Sequence, residues 1–416
     1  MGSRRTMPFF TFRPSRVLSL LGVLAVVAGP VSAQIATDPA SGTTPQYYPQ
    51  PKDTTWPQGQ GGPTDACQGS TAQGPQDDAQ APAVEKMRKL SRTFAATGKP
   101  YTLDTRYGRV QVNVWSRNEV RTDVDIITRS DTEEKAQQLQ DMIQVQLTEK
   151  DPAIEGISVK SRFGAMPREC WSRTKLYEVN YTVWLPKNTP LHLFNSFGEV
   201  ILTGDVSGVT DLAVEYGSLR TARLDGSRNL VRVNNGQCAI PYVRKASIDA
   251  SYSKLRLTAG DVVDLRNNSS DIDIGTVKDL TVHSKYGDVA LGNVSNLRGT
   301  SGYSKFSVDK LSNQLDMTVQ YCPNFEVRST GKNFRQINVD GGYSTIQLNF
   351  PDEAAFKFDV NTEHGKLLVD KRLVRVDSEE SSASSSDMQG SFGSVPTRAA
   401  GNVNIKVRYG NVSFNK

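Results

Sequence analysis

The chain is poor in the residues that most often carry catalysis: three histidines and four cysteines in 416 residues. His192, His283 and His364 have no metal-ligand spacing, so no metal centre is expected. There is no glycine-rich phosphate loop and no Gly-x-Ser-x-Gly elbow, so neither phosphate cradling nor a serine nucleophile is expected. Long apolar runs are also missing apart from Val17–Val31, which is interrupted by Gly22, Gly29 and Pro30 and is short for a membrane span. Residues 190–416 lack a 3.5 or 3.6 apolar period, which excludes coiled coils and helical repeats there.

A short phrase is present instead and keeps returning: aromatic, small, polar, aliphatic. It reads Phe197-Gly198-Glu199-Val200, Tyr216-Gly217-Ser218-Leu219, Tyr252-Ser253-Lys254-Leu255, Tyr286-Gly287-Asp288-Val289, Tyr303-Ser304-Lys305-Phe306, Tyr343-Ser344-Thr345-Ile346 and Tyr409-Gly410-Asn411-Val412. Indexed on the aliphatic residue, with degenerate copies included, the series is Val200, Leu219, Cys238, Leu255, Ile272, Val289, Phe306, Phe325, Ile346, Leu367 and Val412. Its steps are 17 to 21 residues except the last, which is 45. A near-fixed short period is the mark of stacked repeats. Apolar residues seven before and two after the index alternate with polar ones, which means short strands with one face inward. Gly, Ser or Pro between them makes the corners. The sequence therefore predicts an all-β fold: a single-stranded parallel β-solenoid, or β-helix, of about eleven coils over residues 191–416.

Residues 84–190 read as a capping α+β segment that carries a first coil. Tyr107-Gly108-Arg109-Val110 repeats the phrase and is followed by Trp115. Strands are predicted at Val120–Thr128, Ile157–Arg162 and Tyr177–Leu185. Asp131 and Glu134 form a candidate capping box for a helix over Glu133–Leu147. A cap is required because a bare terminal rung is an open sheet edge. The Ser-, Glu- and Asp-rich stretch from 377 to 397 is predicted as a disordered insertion before the last rung.

At the N-terminus, Arg4, Arg5, Arg13 and Arg16 precede the apolar run, and Val31-Ser32-Ala33 is a small-residue cleavage site. Residues 1–33 are expected to be a cleaved export signal, leaving no transmembrane span in the mature chain. That implies the periplasm, the outer-membrane surface or the extracellular space. The first cysteine, Cys67, is too far from the apolar run to support a lipid anchor. Without those four arginines, 45 basic residues face 44 acidic ones, which removes the main support for a nucleic-acid partner. Residues 34–83, rich in Pro, Gln and Gly, read as a disordered linker.

Export invites a disulfide reading. Cys238 and Cys322 lie five rungs apart, roughly 24 Å at the strand spacing, and a bridge needs Cα atoms within about 7 Å. Cys238 is expected to be a buried free thiol at an index position. Cys67 with Cys170 is the pairing left open.

The phrase resembles a known family when taken with the Tyr107–Trp115 start, the Glu-Glu-Lys-Ala-Gln run at 133–137 and the Val-x-Leu-Pro-Lys-Asn run at 183–188. It is similar to a bacterial putative adhesin domain of unknown function, akin to the head domains of auto-transporter adhesins. The similarity covers about residues 85–416. It implies a Gram-negative envelope or cell-surface location and offers no catalytic residues to carry over.

Two outward or corner columns are candidates for function. The aromatic column is Tyr107, Phe197, Tyr216, Tyr252, Tyr286, Tyr303, Tyr343 and Tyr409, broken by Asn235, Ser269, Cys322 and His364. Counting along the strand puts it on the same side as the apolar column, so it is expected to be a core ladder, with a stacking platform for sugars as the alternative. The polar residue before each index faces outward, and in register it forms the run Lys254, Asp271, Asp288, Lys305. Two carboxylates about 5 Å apart suggest a retaining glycosidase, or a cation site with Asp273 near. The flanking lysines stabilise charge on both, whereas a general acid has to hold its proton. The expectation is therefore a non-enzymatic, exported protein without cofactor whose ladder-like face binds a cell-surface protein or glycan. The alternatives are a structural or signalling-accessory envelope protein without a dedicated ligand, and a polysaccharide-acting β-helix enzyme.

Overall fold

The computed structural model describes residues 84–416 apart from 97, 150–154, 171–175, 383 and 395–400. The expected signal 1–33, the linker 34–83 with Cys67, and residues 395–397 lie outside the described residues. Among those described, 26 strands and one α-helix form an all-β, β-helix-like protein whose strands pair mostly in parallel within one large sheet.

Register follows the repeat. Val289 and Phe306 are direct partners in neighbouring parallel strands. Leu219, Cys238, Leu255, Ile272 and Val289 pair in succession along one side. Leu212, Val231, Ile248, Leu265 and Val282 do the same along another. A third, shorter side is marked by the bridges Val206 to Leu224 and Leu224 to Val243. All of these side chains are buried, each stabilising the fold by about 1.5–3 kcal/mol for a side chain of Val or Leu size. Cys238 and Cys322 are separate buried thiols.

The corner between the first two sides is built the same way each time. Every non-glycine residue with positive φ among the described residues stands there, twelve in all, from Tyr107 (φ 60°) to Tyr409 (φ 58°). Each such residue sits in the left-handed region, which L-residues adopt at a cost of about 1–2 kcal/mol. Backbone pairing offsets it: Tyr252 N–H donates to Asn268 O at 3.0 Å, and Tyr286 N–H donates to Gly302 O at 3.0 Å. The next residue must be small because the neighbouring backbone passes close. A Cβ on Gly217 would lie 1.9 Å from the Gly198 carbonyl oxygen. Where serine stands instead, its hydroxyl accepts a neighbouring N–H, as Ser270 Oγ does from Ser253 N at 3.0 Å.

The chain order of the coils departs from their spatial order at both ends. Strand Gly401–Arg408 lies between Gln336–Gly342 and Phe356–Glu363, parallel to both. Val412–Asn415 likewise pairs with Ile346–Asn349 and Leu367–Val369. The segment that comes last in the chain is therefore wedged one rung inside the end. At the other end, Arg109–Trp115 sits between Glu199–Leu202 and Tyr177–Pro186.

Antiparallel strands close the stack. Glu119–Ser130 pairs with Tyr177–Pro186 and in turn with Val84–Ala95. The helix covers these, with Ala136 and Leu139 buried and Thr128 Oγ1 donating to Ala136 O at 3.0 Å. It spans Glu133–Asp141, shorter than expected, because Ile143–Thr148 alternates apolar with polar and forms a strand on Ile157–Phe163. Its N-cap is Thr132, which accepts from Lys135 N–H, while Asp131 pairs with Lys135 Nζ at 2.8 Å instead of capping.

The Ser-rich insertion is also corrected over its described residues. Val374–Ser381 and Ser385–Phe392 form an antiparallel hairpin laid on Phe356–Glu363. Met388, Gly390 and Phe392 turn inward at period two, and Phe392 stacks on Phe356 at 4.8 Å. Three apolar or small residues on one face are enough to dock a strand whose other positions are polar.

Burial sets an alkaline limit on this core. It holds the Cys238 thiol up at about 12 against an ordinary 9.0 and the Tyr181 hydroxyl at about 12 against 10.0. Tyr101 is also raised, by burial first, with its hydroxyl 2.9 Å from Thr122 Oγ1. These groups stay protonated in the fold while the unfolded chain ionises at the ordinary values. Stability is therefore complete below about pH 9 and declines as pH rises toward 12. Urea midpoints measured from pH 8 to 11 are expected to fall, and Cys238→Ala should flatten the part of the decline that begins near 9. An unchanged midpoint at pH 11 would contradict this.

Candidate binding face

Strand alternation places the residues on either side of the buried index outward. Lys254 and Asp271 are direct partners across two strands, and Ile272 N–H donates to Asp288 O at 2.9 Å, which seats Asp288 one strand further on. All three are exposed. They line a groove of about 500 Å³ together with Ser218, Arg220, Gln237, Ala239, Arg256 and Asp273, floored by Cys238 and Leu255. The short outward side chain of Ala239, between its partners Arg220 and Arg256, leaves the depression. Lys305 is exposed on the next rung and lies outside the lining.

Charge on this face is arranged differently from the expected lysine–aspartate ladder. The ion pair formed is Arg256 Nε to Asp273 Oδ2 at 2.9 Å, between partner residues of adjacent strands. Such an exposed pair contributes about 0–1 kcal/mol, so its main effect is to orient the guanidinium. Among the described residues, no side-chain ion pair or hydrogen bond engages Asp271 or Asp288. The column after the index, Arg220, Arg256 and Asp273, faces outward by the same alternation that identifies the column before it.

The aromatic column reverses its expected direction. The ring residues from Phe197 to Tyr409 are 43 to 62 % exposed. Period two does not run through a residue in the left-handed region, so counting back from the core column gives the wrong face. The column also contains Tyr321 (φ 53°) and not Cys322, which is buried. The longer Tyr321-Cys322-Pro323-Asn324 corner shifts the aromatic by one, and aligning on aromatics instead of aliphatics would have found it.

The rings stack in two runs. Tyr107, Phe197 and Tyr216 lie at 5.2 and 5.0 Å. Tyr286, Tyr303, Tyr321, Tyr343 and Tyr409 follow at 5.3, 4.8, 4.9 and 4.7 Å, and His364 stacks on Tyr409 at 4.6 Å. Inner rings have both faces covered, so the run presents edges to solvent.

The other histidines stay apart: His192 faces Asp211 at 4.0 Å and His283 faces Thr300 at 3.2 Å. Among the described residues, no three of His, Cys, Asp or Glu come together, and no helix is long and apolar enough to cross a membrane.

No family model matches the chain, and no curated protein does. Among solved structures it is similar to a putative cell adhesion protein from Clostridium sporogenes, at 8% identity over 79% of this chain and 99% of that one, with a TM-score of 0.19. A putative adhesin from Parabacteroides merdae has 10% identity over 80% and 97%, with a TM-score of 0.24. One from Parabacteroides distasonis has 9% identity over 79% and 97%, with a TM-score of 0.25. TM-scores of this size carry no argument, and the architecture above rests on the chain's own register.

Proposed function

We propose that this chain is an exported, non-enzymatic, adhesin-like binding protein of the bacterial envelope. In this reading it is a single-stranded β-solenoid whose groove face engages a cell-surface protein or glycan. Twelve corners of one construction support a stack of twelve coils, one more than the aliphatic index counts. The signal-like segment 1–33 supports export.

The observation that carries the reading is the groove itself. Charges of both signs stand outward in register around the short Ala239, and Asp271 and Asp288 have acceptors to spare. Repeats of this kind make extended binding faces. The same carboxylates are a poor acid–base pair, because they stand on an open face where nothing excludes water.

The test is saturable binding of labelled full chain to intact bacterial and host cells. The triple variant Asp271→Lys, Asp288→Lys, Lys254→Glu is expected to weaken binding by about tenfold or more with an unchanged circular dichroism spectrum. Equal binding by the variant would remove the face. Polysaccharide turnover abolished by Asp288→Asn would replace binding with catalysis. Protease accessibility on intact cells separates a surface location from a periplasmic one.

A further inference from the structure

We propose that the break in the aromatic ladder at Ser269 is a slot for one pyranose ring, held between Tyr252 and Tyr286 with its hydroxyls turned toward Asp271 and Asp288. This rests on the binding-face reading and names its ligand class.

Two corners of the column carry no ring: Asn235, whose amide donates to Asn234 Oδ1 at 3.0 Å, and Ser269, whose side chain is shorter and stands beside both aspartates. Within the two runs each rung spacing is filled by a ring at 4.6 to 5.3 Å from the next. Tyr252 and Tyr286 are two rungs apart, about 9.6 Å at the strand spacing, with Ser269 on the rung between them. Ser269 keeps the corner backbone, φ 57°, so the break is one of side-chain size and not of chain path. The gap matches the thickness of one six-membered ring. Among the described residues no ring lies against Tyr252, and at 62 % it is the most exposed member of the column. Tyr286 packs against Tyr303, 5.3 Å away on the rung beyond with the ring planes tilted by 33°.

The slot and the groove share rungs. Two residues beyond Tyr252, Ser269 and Tyr286 stand Lys254, Asp271 and Asp288, all on the groove wall. A pyranose presents apolar C–H faces to flanking rings and hydroxyls at its rim. Unengaged carboxylates accept strong charge-assisted hydrogen bonds from such hydroxyls. Lys285 Nζ lies over the Tyr286 ring, 5.2 Å from its centre, so a bound sugar displaces the ammonium from that ring and takes it as a hydrogen-bond donor. An aromatic side chain from a protein would fill the gap equally well but brings at most one hydroxyl to the two carboxylates, where a pyranose brings several. The chemistry therefore favours a sugar.

The experiment is calorimetry on the full chain with hexasaccharides of glucose, galactose, mannose and N-acetylglucosamine, and with N-acetyltyrosinamide as an aromatic probe. Ser269→Tyr supplies the missing ring from the chain itself, in a backbone conformation that tyrosine already adopts at the neighbouring corners. At least one hexasaccharide is expected to bind the wild type. Ser269→Tyr and Tyr252→Ala should each weaken it about tenfold, while the melting temperature of Ser269→Tyr is held or raised.

Sugar binding lost in Asp271→Asn/Asp288→Asn yet unchanged in Ser269→Tyr would overturn the slot and leave the binding face standing. Binding of N-acetyltyrosinamide that Ser269→Tyr abolishes, with no hexasaccharide bound, would overturn the sugar assignment. Failure of every probe at millimolar concentration would overturn the slot, while the face keeps its separate cell-binding test.

Discussion

Removing residues 401–416 is expected to unfold the whole C-terminal end of the stack and not merely fray its last strand. Val403, Ile405, Val407, Val412 and Phe414 are at most 3 % exposed, and losing their burial costs on the order of 10 kcal/mol. The strands they pair with stand on both sides, so the coil Phe356–Val369 and the hairpin on it lose their attachment to Gln336–Asn349. Hydrogen exchange should show residues 352–394 unprotected, while rungs from Leu191 to Phe306 keep their protection, because repeats depend on their neighbours. The exposed edge at Gln336–Gly342 should make the truncated chain self-associate. Full protection of Phe356–Phe392 in the truncated chain would refute the wedged order.

The second large effect is at the corner. Gly217→Val is expected to destabilise the fold by roughly 3 kcal/mol, because its Cβ meets the Gly198 carbonyl oxygen at 1.9 Å and backbone cannot swing aside. Gly217→Ser should cost markedly less, since Ser253, Ser270, Ser304 and Ser344 hold the equivalent position. Chemical denaturation of the pair measures the difference. Equal losses for serine and valine would mean that the Cβ they share sets the whole cost and that the serine hydroxyl offsets none of it.

What the sequence made legible was what repeats locally. The index column and its partners could be counted from residue to residue, down to Val289 facing Phe306. The outward charges at Lys254, Asp271 and Asp288 followed from the same count, and they fall together on the groove. What failed depended on geometry that a period does not contain. The left-handed corner reversed the tyrosines. An extra residue moved Tyr321 out of frame. Thr132 took the cap that Asp131 was expected to hold, because Asp131 had a lysine within reach. The hairpin at Ser385–Phe392 hid its inward face, Met388-x-Gly390-x-Phe392, among serines. The spatial order of the last two coils could not be counted at all, because a repeat specifies which face pairs but not which copy pairs with which.

That order bears on how the molecule is made. Residues 401–415 leave the ribosome after the coil they separate, so Phe356–Val369 cannot settle on its earlier neighbours by simple addition. Growth of the stack halts at Asn349 with a gap held open, and a later segment must slide in like a keystone. Until it does, the end of the stack lacks the contacts that hold it on both sides and opens more easily than the rungs before it.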